Sequence, residues 1–102
     1  MKYKAATNPL LIGYISYPMD KPKLAKEEFI STNRSNIGME ICIYRLKKGY
    51  SQAVLADLMG ISRATISKIE NGKFAISVDY LAKFSWYLDF NIKLLEKNQP
   101  EQ

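Results

Sequence analysis

The chain has 102 residues, a formal net charge of +5 and 47% hydrophobic residues, which indicates one globular domain with a modest core. It contains a single cysteine and no histidine, which excludes an internal disulfide, a zinc cluster of Cys and His, and any catalytic site that depends on histidine. We therefore expect a protein that is not an enzyme, needs no metal or other cofactor, and favours an anionic partner.

The first 34 residues contain three of the four prolines and show no helical period in their apolar residues. We interpret residues 1–34 as an N-terminal arm, with a short strand predicted at LLIGYISY (10–17), a loop at YPMDKPK (17–23) and one or two helical turns at LAKEEFI (24–30). The apolar run is too short to span a bilayer and precedes no cleavage pattern of a signal peptide. We therefore expect a cytoplasmic protein without a membrane partner.

Helical periodicity begins at residue 35 and defines a domain over residues 35–90. Ser35 or Asn36 is predicted to cap a first helix, which ends at Gly49. Its apolar stripe consists of Ile37, Ile41 and Tyr44. Cys42 is predicted to be a small buried apolar residue of the same helix.

Three shorter helices follow, and each begins after a serine whose side chain can accept a hydrogen bond from a free backbone N–H. The helices are QAVLADLM after Ser51, RATISKIEN after Ser62 and VDYLAKFSWYL after Ser77. Gly60 and Gly72 are predicted to end the first two. The chain is therefore expected to be mainly α, a helical bundle with a short strand near each terminus.

The second and third predicted helices have the spacing of a helix-turn-helix, in which two helices cross steeply over a tight turn. Ala56 is small enough for the second backbone to pass closely, Gly60 tolerates a positive φ in the turn, and Ile66 closes the core. Each residue is common alone, but the three in register are a strong signal. The alternative is a helical hairpin that only packs in this way.

Arg45, GYSQAVLADLMGIS and ISKIENGK resemble the lambda-repressor/Cro class of helix-turn-helix domains, often called the XRE family. The resemblance covers about Ile37 to Leu88, roughly half of the chain. It implies a lambda-repressor-like helical bundle, a third helix that lies in the major groove of double-stranded DNA, and a dimeric transcriptional repressor.

Setting Ile66 and Ile69 toward the core places the opposite face of the third helix in solvent. Arg63 and Lys68 are then candidates to bond guanine, and Ala64 is placed to touch a thymine methyl. The resemblance also assigns base contacts to these three positions. Candidates for phosphate contacts are Gln52, Thr65, Asn71 and Lys73.

The resemblance implies a structural role for Arg45, as a partly buried ion pair with Glu70 that ties the first helix to the third. The alternative is that Arg45 is a free phosphate contact.

The C-terminal residues 91–102 are interpreted as a strand and tail, because DFNIKLLE alternates apolar and polar residues. Helix-turn-helix proteins usually bind two half-sites, so we expect a homodimer. An exposed FNIKLL strand could pair with the same strand of the second protomer. The alternative is an edge strand that closes the core of one protomer. Four aromatic residues near the end of the fourth helix suit either a core or an interface: Phe84, Trp86, Tyr87 and Phe90.

Two other functions stay open. A terminal strand used for dimerisation also resembles antitoxins of the HipB-like type, which would bind a toxin protein and repress their own operon. The other alternative is a protein-interaction module that keeps the helix-turn-helix shape without binding DNA.

Overall fold

The computed structural model describes residues 23–97, and within them the chain forms four α-helices. They are α1 (Lys23–Lys47), α2 (Gln52–Met59), α3 (Arg63–Glu70) and α4 (Val78–Leu88). The strand predicted at 10–17 and most of the loop predicted at 17–23 lie outside the described residues. No helix among those described combines the length and apolar character needed to cross a membrane.

Helix α1 is longer than predicted, and the predicted cap at Ser35 or Asn36 is wrong because both residues lie inside the helix. The preceding segment is rich in strong helix formers, and no proline interrupts the chain after Pro22 until Pro100. Asn33 donates a hydrogen bond from Nδ2 to the carbonyl of Phe29, 2.8 Å away, so its side-chain amide is bonded within the helix in which it lies.

The shorter helices have the predicted boundaries to within one residue. Each N-cap serine accepts a hydrogen bond of 3.0 Å from the backbone N–H three residues later. Gly49 and Gly60 adopt the left-handed conformation predicted for helix ends, with φ of 76° and 69°. The C-cap of α4 is Asp89, which adopts the same conformation without being glycine and whose carboxylate pairs with Lys48.

The core lies where α1, α2, α3 and α4 meet. It consists of Ile41, Leu55, Ala56, Met59, Ile66, Ile69, Phe84 and Leu88. The predicted stripe of α1 contributes Ile41 to this core, while Ile37 and Tyr44 pack against its edge. Cys42 is only half-buried, so its prediction as a buried apolar residue is wrong; its sulfur accepts a hydrogen bond from Arg45.

Helix α1 crosses the end of α3 at very short range. A Cβ added to Gly38 would lie 2.2 Å from the carbonyl oxygen of Ile69, and one added to Gly72 would lie 2.5 Å from Oγ of Ser35. Gly72 also has a φ of 73°, which a residue with a Cβ rarely adopts. Two glycines therefore let the α1 backbone fix the position of α3.

The strand predicted for DFNIKLLE is absent from the described residues, which continue as irregular chain after Asp89. A strand requires a neighbouring strand to bond its backbone, whereas this segment follows the side of α1. The ring of Phe90 packs 5.1 Å from that of Tyr44, and Ile92 and Leu94 line a groove of about 240 Å³ between α1 and α4. Ile92 is 47% exposed and Leu94 is 95% exposed, so the alternation of apolar and polar residues does not mark a buried face.

Candidate nucleic-acid interface

The crossing of α2 and α3 depends on the three residues that the sequence spacing singles out. Ala56 is buried in α2, and its carbonyl accepts a hydrogen bond of 3.0 Å from the N–H of Ile61 in the turn. Gly60 turns the chain, and Ile66 of α3 is fully buried. The predicted helix-turn-helix is confirmed, with α2 as its first helix and α3 as its second.

Helix α3 has one buried and one exposed face. Ile66 and Ile69 are 0% and 3% exposed, whereas Arg63, Ala64 and Lys68 are all exposed. Within residues 23–97, the side chains of Arg63 and Lys68 have no hydrogen-bond or ion-pair partner, so both cationic groups are free to bind a ligand. The exposed face therefore presents two cations and a methyl group along about one and a half turns.

The four candidates for phosphate contacts have different surroundings. Lys73 is exposed just beyond α3, and its backbone N–H donates to the carbonyl of Lys68 at 2.8 Å. Asn71 donates from Nδ2 to the carbonyl of Ser67 at 2.8 Å, which caps the end of α3. The hydroxyl of Thr65 lies 2.8 Å from that of the N-cap Ser62. The side chains of Thr65 and Asn71 are thus also part of the caps of α3.

Gln52, the fourth phosphate candidate, is half-buried at the start of α2, and its Nε2 donates to Oε1 of Glu70 at 3.0 Å. An amide nitrogen carries two hydrogens, so one remains available for a ligand. The contact with Glu70 fixes the Gln52 side chain where the backbone N–H groups of the α2 N-terminus are also free.

Arg45 lies on α1 and bonds both α3 and the loop that precedes α2. Its Nε and Nη2 donate to the two carboxylate oxygens of Glu70 at 2.6 and 3.0 Å, and its Nη1 donates to the carbonyl of Tyr50 at 2.8 Å. The side chains of Arg45 and Glu70 are only 9% and 6% exposed. Together with Gln52 they form a network, which we call the Arg45 network, that links α1, α2 and α3.

The charge states within this network follow from its geometry. Burial of Glu70 acts to raise the pKa of its carboxyl, but hydrogen bonds from Arg45 and Gln52 outweigh burial and hold that pKa below its ordinary value. The hydrogen bond to Glu70 raises the pKa of Arg45. Both groups are therefore charged at neutral pH and neutralise each other inside the domain.

The structure thus separates two kinds of basic residue between positions 45 and 73. Arg45 forms a buried ion pair with Glu70, and Lys48 pairs with Asp89 on the surface. Arg63, Lys68 and Lys73 remain exposed on or beside α3. The arrangement can bind a polyanion, with α3 as the protruding element.

Sequence reasoning missed the contact between Gln52 and Glu70 and the close approach at Gly38. No local pattern indicates the first, because the residues are 18 positions apart. The second had a visible signal, since a glycine inside a helix is unfavourable by about 1 kcal/mol relative to alanine and so often marks close packing.

Comparison with known proteins gives two kinds of match. The helix-turn-helix family HTH_3 matches residues 43–95, about half of the chain. The chain is 38% identical over 68 residues to the HTH-type transcriptional regulator SinR of Bacillus subtilis (strain 168), and equally to SinR of Bacillus licheniformis. Each alignment covers 64% of this chain and 61% of the relative, so the chain spans about three fifths of the curated relatives it matches. No solved structure gave a significant match.

Proposed function

Since the chain belongs to the helix-turn-helix family, as the match over residues 43–95 shows, we propose that it is a sequence-specific DNA-binding regulator of transcription. In this proposal it is a dimeric repressor that binds a palindromic operator through Arg63, Ala64 and Lys68. The similarity to SinR, an HTH-type transcriptional regulator, supports this function.

The observation that carries the proposal is the free face of α3. Ile66 and Ile69 hold the helix in the domain, while the cationic ends of Arg63 and Lys68 have no partner within residues 23–97. The major groove of DNA, about 12 Å wide, admits a helix presented in this way. A guanidinium that bonds O6 and N7 of guanine discriminates against other bases by about 1–3 kcal/mol.

The other helix of the motif supplies the sequence-independent part of binding. The free N–H groups at the N-terminus of α2 and the second hydrogen of the Gln52 amide are placed to bind a backbone phosphate. Lys73 adds a positive charge beside α3. In the proposal, Thr65 and Asn71 contact phosphates from the two ends of α3, where they also serve as caps.

The proposal is tested by gel-shift titration of the full chain against duplex DNA from upstream of its own gene, with an unrelated duplex of equal length beside it. We expect the affinity to fall steeply with salt, with log K decreasing by about 0.9 for each phosphate contacted per unit of log salt. A protein-interaction module that does not bind DNA predicts equal, weak binding to both duplexes, and that result would refute the proposal. An antitoxin of this fold would show the same operator binding and would also co-purify with a toxin.

Variants separate base contacts from phosphate contacts. Arg63→Ala is expected to weaken binding to the operator by about 5- to 150-fold, which corresponds to about 1–3 kcal/mol, and to change binding to unrelated DNA far less. Gln52→Ala is expected to weaken binding to both duplexes alike. The matched control is Lys83→Ala, which removes one exposed positive charge from α4 and should leave the ratio of the two affinities unchanged.

A further inference from the structure

The face of α1 that points away from the core carries an unexplained repeat. Seven residues follow the alternating spacing of four and three that defines a heptad seam: Ala25, Phe29, Thr32, Asn36, Met39, Ile43 and Leu46. All seven are exposed, and the four largest apolar ones, Phe29, Met39, Ile43 and Leu46, are 54%, 59%, 46% and 61% exposed. We call this set the α1 seam.

The α1 seam is separate from the residues that build the domain. Ile37, Ile41 and Arg45, which face the core, lie roughly opposite to it on the helix. Among the described residues, the core contains none that precedes Ile37, so the first half of α1 projects beyond the bundle. The full helix of 25 residues is about 37 Å long, and a helix that projects unsupported into water is only marginally stable.

We propose that the α1 seam binds a second copy of this chain, with the two α1 helices packed antiparallel. A heptad seam fits another helix with the same spacing, and a twofold axis makes one surface serve as both partners. The inference deepens the proposed function, since it specifies how the two copies of a repressor are joined.

In one antiparallel register, polar side chains of the seam face polar side chains of the partner, and apolar side chains face apolar ones. Aligning Thr32 with Asn36 of the partner subunit brings two polar side chains together, so the amide and the hydroxyl can bond each other. The same register places Phe29 against the partner's Met39. It also places Ala25 against the partner's Ile43, which alternates small and large residues. Every layer occurs twice, because the axis generates its counterpart.

Charge favours the same register. Lys26 and Glu40 flank the seam on one side, and the antiparallel alignment brings Lys26 beside the partner's Glu40 at both ends of the contact. In a parallel pair in register, Lys26 lies two heptads away from the partner's Glu40 along the axis, so these opposite charges cannot meet. Of the described residues after α4, Lys97 lies over the ring of Phe29 with its Nζ 4.8 Å from the ring centroid, and the Phe29 side chain is 54% exposed.

The first test is sedimentation equilibrium of the full chain without DNA, over a wide range of concentrations. Met39→Lys introduces a charge against the partner's Phe29 twice in each dimer and is expected to raise the dimer dissociation constant by about 100-fold or more. The control Val78→Lys places the same charge at an exposed apolar position on α4, away from the seam, and should leave the constant unchanged within about 3-fold. Circular dichroism shows whether both variants keep the helical fold.

The second test determines the direction of pairing by disulfide formation. Thr32→Cys and Asn36→Cys are each made in a Cys42→Ser background, one with a tag that changes its mass, and are oxidised alone and as a mixture. The antiparallel register predicts a disulfide between the two variants and little within either one. A parallel pair would cross-link each variant with itself, which would overturn the inference.

A wild-type chain that stays monomeric at all concentrations, or a Val78→Lys variant as disruptive as Met39→Lys, would also overturn it. The gel shift with Arg63→Ala decides the proposed DNA binding separately, because Arg63 lies on α3 and is not part of the α1 seam.

Discussion

The Arg45 network makes the strongest quantitative prediction for stability. Glu70→Gln keeps the shape of the side chain but removes the charge that faces Arg45, whose side chain is only 9% exposed. Of the contacts to Arg45, those from Tyr50 and Cys42 remain, and both are to neutral acceptors. Removing one partner of a buried pair typically costs about 3–5 kcal/mol, because the other charge is left without compensation.

This cost is large for a domain of this size. A described region of 75 residues would have a free energy of unfolding of about 4–11 kcal/mol at ordinary stability per residue. A loss of about 3–5 kcal/mol is therefore a third or more of the free energy of unfolding over most of that range. In thermal unfolding it corresponds to a fall in Tm of more than about 10 °C, since each kcal/mol shifts the Tm of such a domain by about 4–8 °C.

The assay is urea unfolding followed by circular dichroism, for the wild type, Glu70→Gln, Arg45→Met and the double variant. The double variant removes both charges and should be more stable than the sum of the single losses predicts, with a coupling energy of about 2–3 kcal/mol. Exposed ion pairs couple by about 1 kcal/mol or less. A single-variant cost below about 1 kcal/mol, with additive losses in the double variant, would refute the assignment of this pair as a buried structural contact.

Three further predictions concern the packing of α3. Gly38→Ala should destabilise the domain by about 1–3 kcal/mol in urea unfolding despite the better helix propensity of alanine, because its Cβ would meet the carbonyl of Ile69; an unchanged or raised stability would contradict the close approach. Since folding lowers the pKa of Glu70, the stability that its charge contributes is complete above the ordinary pKa of 4.5 and is lost as the pH falls below that value, so the free energy of unfolding should depend less steeply on pH below about 4.5 in Glu70→Gln than in the wild type. Ser62→Ala removes the acceptor for the N–H of Thr65 and should cost about 0.5–2 kcal/mol, whereas Ser31→Ala, at an exposed position inside α1, should cost less than about 0.5 kcal/mol in the same assay.

The helix-turn-helix could be predicted from sequence because its determinants are local. A capping serine, a left-handed glycine and a buried isoleucine each act within one or two turns of the chain, so their spacing carries the geometry. The start of α1 could not be predicted in the same way. Ser35 has the chemistry of a cap, but in the structure it packs against Gly72 from inside a helix, and that contact depends on the tertiary fold.

The C-terminal segment shows a second limit of sequence patterns. Alternation over a few residues is typical of a half-buried strand, but it does not by itself show that the alternate side chains are buried. Here Phe90 packs on Tyr44 of α1, whereas Ile92 is 47% exposed and Leu94 is 95% exposed, so the period of two arises without a strand and without a buried face. The candidate site is intermediate: exposure of Arg63 and Lys68 follows from helical periodicity, whereas the contact between Gln52 and Glu70 depends on the crossing of two helices.

Helix α1 has a role in both proposals, although none of its residues is a candidate for contact with bases. Its inner face sets the position of α3 through Gly38 and holds Gln52 and the α2 N-terminus through Arg45 and Glu70. A change in this face would therefore shift the proposed base and phosphate contacts together, and we expect Glu70→Gln to weaken operator binding even at temperatures where the variant is fully folded.

The outer face of α1 carries the α1 seam, so one helix would fix both the orientation of each α3 and the spacing between the two half-sites that a dimer contacts. Loss of pairing through Met39→Lys should consequently weaken operator binding without changing which base Arg63 prefers, whereas a change at Gly38 or Glu70 should affect the contacts of each single half-site.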